Sequence, residues 1–341
     1  MKSVKDPIFV VSAHSRYSIK APPPADPGAE YRQTRWYHPK GPAETSAKPL
    51  KIAIYIVVGI VAALLVIGIR IAASAFWNER ADYVRTPPQP ISGQPERTGI
   101  ANLAEISLVD PQGHRLAGWY APSRNRAAVL LVHGTQADRS SLLFETAFLA
   151  REGFGVLGID LPGQGASEGT TRWGVPERLA IRAAVDWLSS RYDVDPQRIG
   201  GFGASMGAYV LIQAAVLDQR LRAVSLAASP DDVVEQNWLA SSRWGWLSQV
   251  PNYLALRAYG QSLDMAPKDV IGRIAPRAVF VLGGERDDVV PPFMARQLYQ
   301  GAGEPKRLWI VPGAHHVDYE QAAPKEYRTR VTEFFKDTLL N

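Results

Sequence analysis

The chain has no cysteine at any of its 341 positions. A disulfide framework, a thiolate metal site and a cysteine nucleophile are excluded together, while the redox compartment stays open. Most of the length also lacks an excess of charge of either sign. The formal net charge is +5, but residues 1–51 hold nine Lys and Arg against four acids, Asp6, Asp26, Glu30 and Glu44. That segment carries the whole excess, leaving 29 basic and 29 acidic residues for the other 290. A neutral folded part offers a polyanion no electrostatic footprint, so no nucleic-acid partner is expected. No internal repeat is present.

What the chain does have is one long hydrophobic run. Ile52 to Ile69 reads IAIYIVVGIVAALLVIGI without a charge, followed by Arg70 and the still apolar Ile71 to Trp77. At 1.5 Å per residue the uncharged part spans roughly 27 Å, close to the ~30 Å of a bilayer's hydrocarbon. Arg70 can snorkel to the interface beside Trp77. The run predicts a transmembrane helix over 52–77, because a helix in a soluble core is rarely apolar on every face. Ala73-Ser74-Ala75 offers a signal-peptide cleavage pattern, but a signal peptide places ~7–15 apolar residues after a short basic start, not after 51 residues. An uncleaved single-pass anchor is the expectation.

The flanks fit that reading. Residues 1–51 form a basic tail with Pro22-Pro23-Pro24, Pro27, Pro39, Pro42 and Pro49 and no apolar period, which predicts disorder. Residues 78–100 contain Pro87, Pro88, Pro90 and Pro95 and read as an extended linker. Arg32, Arg35, Lys40, Lys48 and Lys51 precede the run and Arg80 and Arg85 follow it, a bias that places the tail in the cytoplasm and the main domain outside it.

Residues 101–341 read as one α/β domain. Alternation in Ala104 to Val109 and Arg115 to Tyr120, around Asp110-Pro111-Gln112-Gly113, predicts an antiparallel hairpin. Continuous apolar runs follow at Ala127 to Val132, Phe154 to Ile159, Arg198 to Phe202, Leu221 to Ala227, Arg277 to Leu282 and Arg307 to Val311, the pattern of parallel strands buried on both faces. Helical spacing separates them at Ser141 to Arg151, Pro176 to Arg191, Met206 to Leu217, Pro292 to Gln300 and Lys325 to Leu339. Such alternation implies a mostly parallel sheet with helices on both faces. Residues 230–276 break the rhythm and read as a small helical cap. Its Trp238, Trp244, Trp246, Tyr253 and Tyr259 serve either an acyl pocket or the insertion's own packing.

Gly203-Ala204-Ser205-Met206-Gly207 joins a strand directly to a helix, where a nucleophile elbow belongs. Gly203 and Gly207 stand where a side chain would crowd the turn. A serine hydroxyl needs a histidine to take its proton and an acid to orient that histidine. Both candidates follow, each after a strand: Gly284-Glu285-Arg286-Asp287-Asp288 and Gly313-Ala314-His315-His316. The residues alone leave each doublet open. The order Ser, Asp, His is that of one hydrolase class and not of chymotrypsin or subtilisin. The acids and histidines could also bind a metal, which the serine makes redundant.

On these motifs residues 104–340 resemble an α/β-hydrolase, of the serine-aminopeptidase-like or lysophospholipase-like branch. The resemblance implies Ser205 as nucleophile, Asp287 in the G-x-x-D position and His316 in the G-x-x-H position. It also implies that Leu131-Val132-His133-Gly134-Thr135 is the H-G-x loop, with the N–H groups of Thr135 and Met206 forming an oxyanion hole. Asp160 to Ser167 resembles the loop that shapes the site. His133 reads as a loop histidine. The expected activity is hydrolysis of a carboxylic ester of a small molecule or lipid, without a cofactor. The alternatives are a peptidase or amidase of the same fold, and a tethered binding protein without turnover.

Overall fold

A computed structural model of the chain describes residues 48–85, 100, 102–236, 253, 257 and 264–341. The long run forms helix α1 (Lys48–Arg85). Its stretch Pro49–Gly68 has a mean hydropathy of 2.8 and is the one helix among the described residues long and apolar enough to cross a membrane. Twenty residues rise roughly 30 Å. The helix runs eight residues past the expected end at Trp77, over the first third of the expected linker. Residues 78–85 contain no proline, so nothing stops propagation until Pro87, whose ring disfavours helix at the residue before it. The four linker prolines lie outside the described residues, as do residues 1–47 of the basic tail.

The second part of the chain is built on an eight-stranded sheet in the order β1-β2-β4-β3-β5-β6-β7-β8. Its strands are β1 (Ala104–Val109), β2 (Arg115–Ala121), β3 (Ala128–Val132), β4 (Gly155–Ile159), β5 (Ile199–Ala204), β6 (Leu221–Ala227), β7 (Ala278–Gly284) and β8 (Lys306–Val311). β1 pairs antiparallel with β2 and β2 with β4; every other pairing is parallel. Each apolar run of the sequence becomes one of these parallel strands. β3 and β4 are buried at every residue, as strands sandwiched between helices must be.

The covering helices are α2 (Leu143–Arg151), α3 (Val175–Ser189), α4 (Met206–Leu217), α5 (Pro292–Gly301) and α6 (Pro324–Leu339). Ala180, Ile181 and Ala184 of α3, Val210 and Leu211 of α4 and Leu298 of α5 pack on one face, against Leu130, Leu157, Val224 and Val281. Phe148 and Leu149 of α2 and Val331, Phe334 and Phe335 of α6 pack on the other, against Val129, Val156, Phe202 and Phe280. α4 is buried almost all round, so it reads as continuously apolar where the other helices read as amphipathic.

After β6, residues 233–236 turn helical, and Pro267–Val270 and Ile271–Ile274 form short helical turns before β7. No strand occurs among the described residues of the cap region 230–276. Tyr253 is exposed, while Trp238, Trp244, Trp246 and Tyr259 lie outside the described residues.

Candidate active site

Ser205 is the single residue between β5 and α4, and its backbone sits at φ 52°, ψ −120°. For a residue with a Cβ this costs on the order of 1–3 kcal/mol, which the surroundings must offset. Ser205 N–H donates to Ala227 O on β6 at 2.8 Å, and its carbonyl accepts from Tyr209 N–H at 3.1 Å. The flanking positions have no room for a side chain. A Cβ on Gly207 would lie 2.1 Å from Val132 O, and one on Gly203 2.6 Å from Ala208 Cα. Glycine is therefore a packing requirement of the elbow at both positions.

The loops after β7 and β8 bring the acid and the histidine to this serine. Ser205 Oγ lies 3.0 Å from His316 Nε2, and His316 Nδ1 lies 2.8 Å from Asp287 Oδ2. A carboxylate only accepts, so Nδ1 carries the proton and Nε2 is left to accept from the serine hydroxyl. The second carboxylate oxygen accepts from Val289 N–H at 2.9 Å and Val290 N–H at 2.8 Å. The Asp287 side chain is fully buried and that of His316 is 21% exposed, so the histidine reaches solvent while its orienting acid does not. Asp288 and His315 are exposed and have no hydrogen-bonding partner for their side chains among the described residues. The two loops thus place Asp287 and His316 in one hydrogen-bonded line with Ser205, and Asp288 and His315 outside it.

The loop after β3 lies against the elbow, and a Cβ on Gly134 would meet Ser205 Cβ at 3.2 Å. His133 is wholly buried within it. Its Nε2 accepts from Leu161 N–H at 3.0 Å and its Nδ1–H donates to Gly134 O at 2.7 Å. Burial pushes its pKa below the usual histidine range. His133 is a neutral strut between the loops after β3 and β4, not a base. The loop after β4 folds back on Asp160, whose carboxylate accepts from Arg139 N–H and Ala166 N–H, both at 2.8 Å, and pairs with the Arg139 guanidinium.

Thr135 and Met206 flank the serine. Met206 N–H opens α4 and has no acceptor within its own helix. Thr135 Oγ1–H donates to Met206 Sδ at 3.2 Å, which ties the two backbone segments together. Gln164, buried behind them, places Nε2 4.0 Å from the same sulfur. Sequence reasoning missed both contacts to the thioether. A methionine in a glycine-flanked turn carries no signal that its sulfur, as well as its N–H, is in use.

A mostly parallel eight-stranded sheet with this serine, acid and histidine beyond β5, β7 and β8 defines an α/β-hydrolase. Within that class the chain belongs to the prolyl oligopeptidase family, whose family model matches residues 139–341. The superfamily expected from the motifs is borne out, and the matching branch within it is this one. The chain is 33% identical over 252 residues to the uncharacterized protein Rv2307c of Mycobacterium tuberculosis (strain ATCC 25618 / H37Rv), covering 72% of this chain and 83% of that protein. It is 26% identical over 249 residues to YfhR of Escherichia coli (strain K12), covering 69% and 81%. Among solved structures, the Pyrococcus furiosus esterase Pf2001 superposes with a TM-score of 0.62 at 23% identity, over 74% of this chain and 97% of that one.

Proposed function

We propose that the chain is a membrane-anchored serine hydrolase that cleaves a carboxylic ester through an acyl-enzyme intermediate. The observation that carries this reading is the continuous line Ser205 Oγ to His316 Nε2 at 3.0 Å and His316 Nδ1 to Asp287 Oδ2 at 2.8 Å, ending on a serine held at positive φ. Ser205 Oγ attacks the ester carbonyl as its proton passes to His316 Nε2. The buried Asp287 carboxylate stabilises the imidazolium that forms. Negative charge gathers on the former carbonyl oxygen, which the N–H groups of Thr135 and Met206 receive; a single such donor is worth about 10²–10³ in kcat. His316 returns the proton to the leaving alcohol. Water then attacks the acyl group by the same route and frees Ser205.

The anchoring part rests on α1. Ile52, Tyr55, Val58, Ile60, Leu64 and Ile67 are all more than half exposed, and apolar side chains on every face of a helix need a cover that is itself apolar. The test of the chemistry is a panel of p-nitrophenyl esters of increasing chain length run beside aminoacyl amides. Ester turnover that exceeds amide turnover and vanishes in Ser205→Ala supports the reading. A peptidase or amidase is the second reading, favoured by the family model that matches, and faster amide turnover would establish it. A binding protein without turnover would hydrolyse neither.

A further inference from the structure

At the edge of the sheet opposite Ser205, where β6 and β7 begin, lies a cavity of about 540 Å³ whose lining includes Arg222, Arg273, Arg277, Gln219, Pro276 and Pro305. β7 alone is seven residues long, which puts the cavity roughly 20 Å from the catalytic edge at ~3.3 Å per strand residue. Nothing in the proposed acyl transfer uses it, and its volume falls in the range of small-molecule sites.

The three arginines have different commitments. Arg277 is fixed by three backbone carbonyls: Nε donates to Ile274 O at 3.1 Å, and Nη1 to Asp218 O and to Leu221 O, both at 3.0 Å. One of the three, Asp218 O, lies at the carbonyl end of α4, which would otherwise repel an anion. Burial and the neighbouring Arg222 charge push the Arg277 pKa down, and the Asp218 carboxylate offsets this only in part. Arg222 and Arg273 are exposed and pair with no carboxylate among the described residues.

The nearby carboxylates are taken. Asp218 is held by Arg220 at 2.5 Å, and Asp337, the acid in the cavity wall, by Arg307 at 2.8 Å. Two uncommitted guanidinium groups beside a third thus face a space walled partly by proline and lacking a free acid. Planar N–H forks in that number match the oxygens of a phosphate better than a single carboxylate does. The volume leaves room for an organic body beside the phosphate.

We propose that this cavity is a non-catalytic binding site for a phosphomonoester, held by Arg222 and Arg273 over the fixed Arg277. Calorimetric titration of the full chain in detergent micelles at low ionic strength, with phenyl phosphate as probe, tests it. Saturable one-site binding is expected, weaker with inorganic phosphate and weakened by added salt. The double variant R222Q/R273Q should lose at least about tenfold in affinity, since each replacement removes a charge-assisted contact, while p-nitrophenyl ester hydrolysis holds at the wild-type rate. Arg330→Gln, midway along α6 and seven residues before Asp337, is outside the cavity lining and should bind as wild type. Tighter binding of dihexanoyl phosphatidic acid than of phenyl phosphate would keep the phosphate site and assign it to a lipid headgroup. Absence of saturation with every probe, or equal affinity in R222Q/R273Q, would overturn the proposal.

Discussion

Single residues decide the chemistry, and the two doublets show how. Asp287 and Asp288 are neighbours of the same type, yet only Asp287 is buried and accepts two backbone N–H bonds while facing His316. Asp287→Asn removes the acceptor that fixes the imidazole tautomer and should lower kcat by about 10⁴. Asp288→Asn should leave kcat near wild type in the same assay; equal losses would mean that the acid is shared or misassigned. The sequence supplied the spacing of both loops but left the choice within each doublet to the resemblance, because which of two adjacent side chains turns inward depends on the path of a loop. Gly207 is a sharper case. A methyl group there would meet Val132 O at 2.1 Å, so Gly207→Ala should cost more than about 2 kcal/mol in chemical denaturation and most of the activity. A variant as stable as wild type would mean that the elbow is less tightly packed than described.

Among the elements, strands of the sheet were the most legible in the sequence, since parallel strands covered on both faces must be apolar at consecutive positions. Their ends were less so: β5 runs two residues past the apolar run, through Gly203 and Ala204 into the elbow. The contacts between helices were not legible. Glu145 of α2 is buried against α6 and accepts from Tyr327 Oη–H at 2.5 Å, and burial raises its pKa to about 7. No periodicity marks a glutamate for the interior. Its folded-state pKa lies above the unfolded one, so between about pH 4.5 and 7 the folded chain holds more protons and stability falls as pH rises. Glu145→Gln keeps an acceptor for Tyr327 and cannot ionise. It should flatten that fall and gain about 1–3 kcal/mol over wild type at pH 8, with little gain at pH 4.5. Parallel stability curves for the two proteins would place the carboxyl in a wetter site.

At the scale of the whole molecule, the chain joins a neutral α/β domain to a basic tail through one apolar helix. The expected orientation has the tail in the cytoplasm and the hydrolase domain outside, because Lys40, Lys48 and Lys51 precede the apolar run that begins at Ile52. Protease added to spheroplasts should then digest the domain and spare a tag at Met1, and carbonate should fail to extract the protein. A spared domain with a digested tag would reverse the orientation, and a soluble domain would point to cleavage after Ala75. The most direct test of the central claim is labelling of the full-length protein with a fluorophosphonate followed by peptide mass mapping, because only a serine activated by its histidine reacts readily. A single adduct on the peptide containing Ser205, lost in Ser205→Ala and strongly slowed in His316→Ala, is the expected result. An unlabelled wild-type protein, or a label that persists in Ser205→Ala, would contradict it.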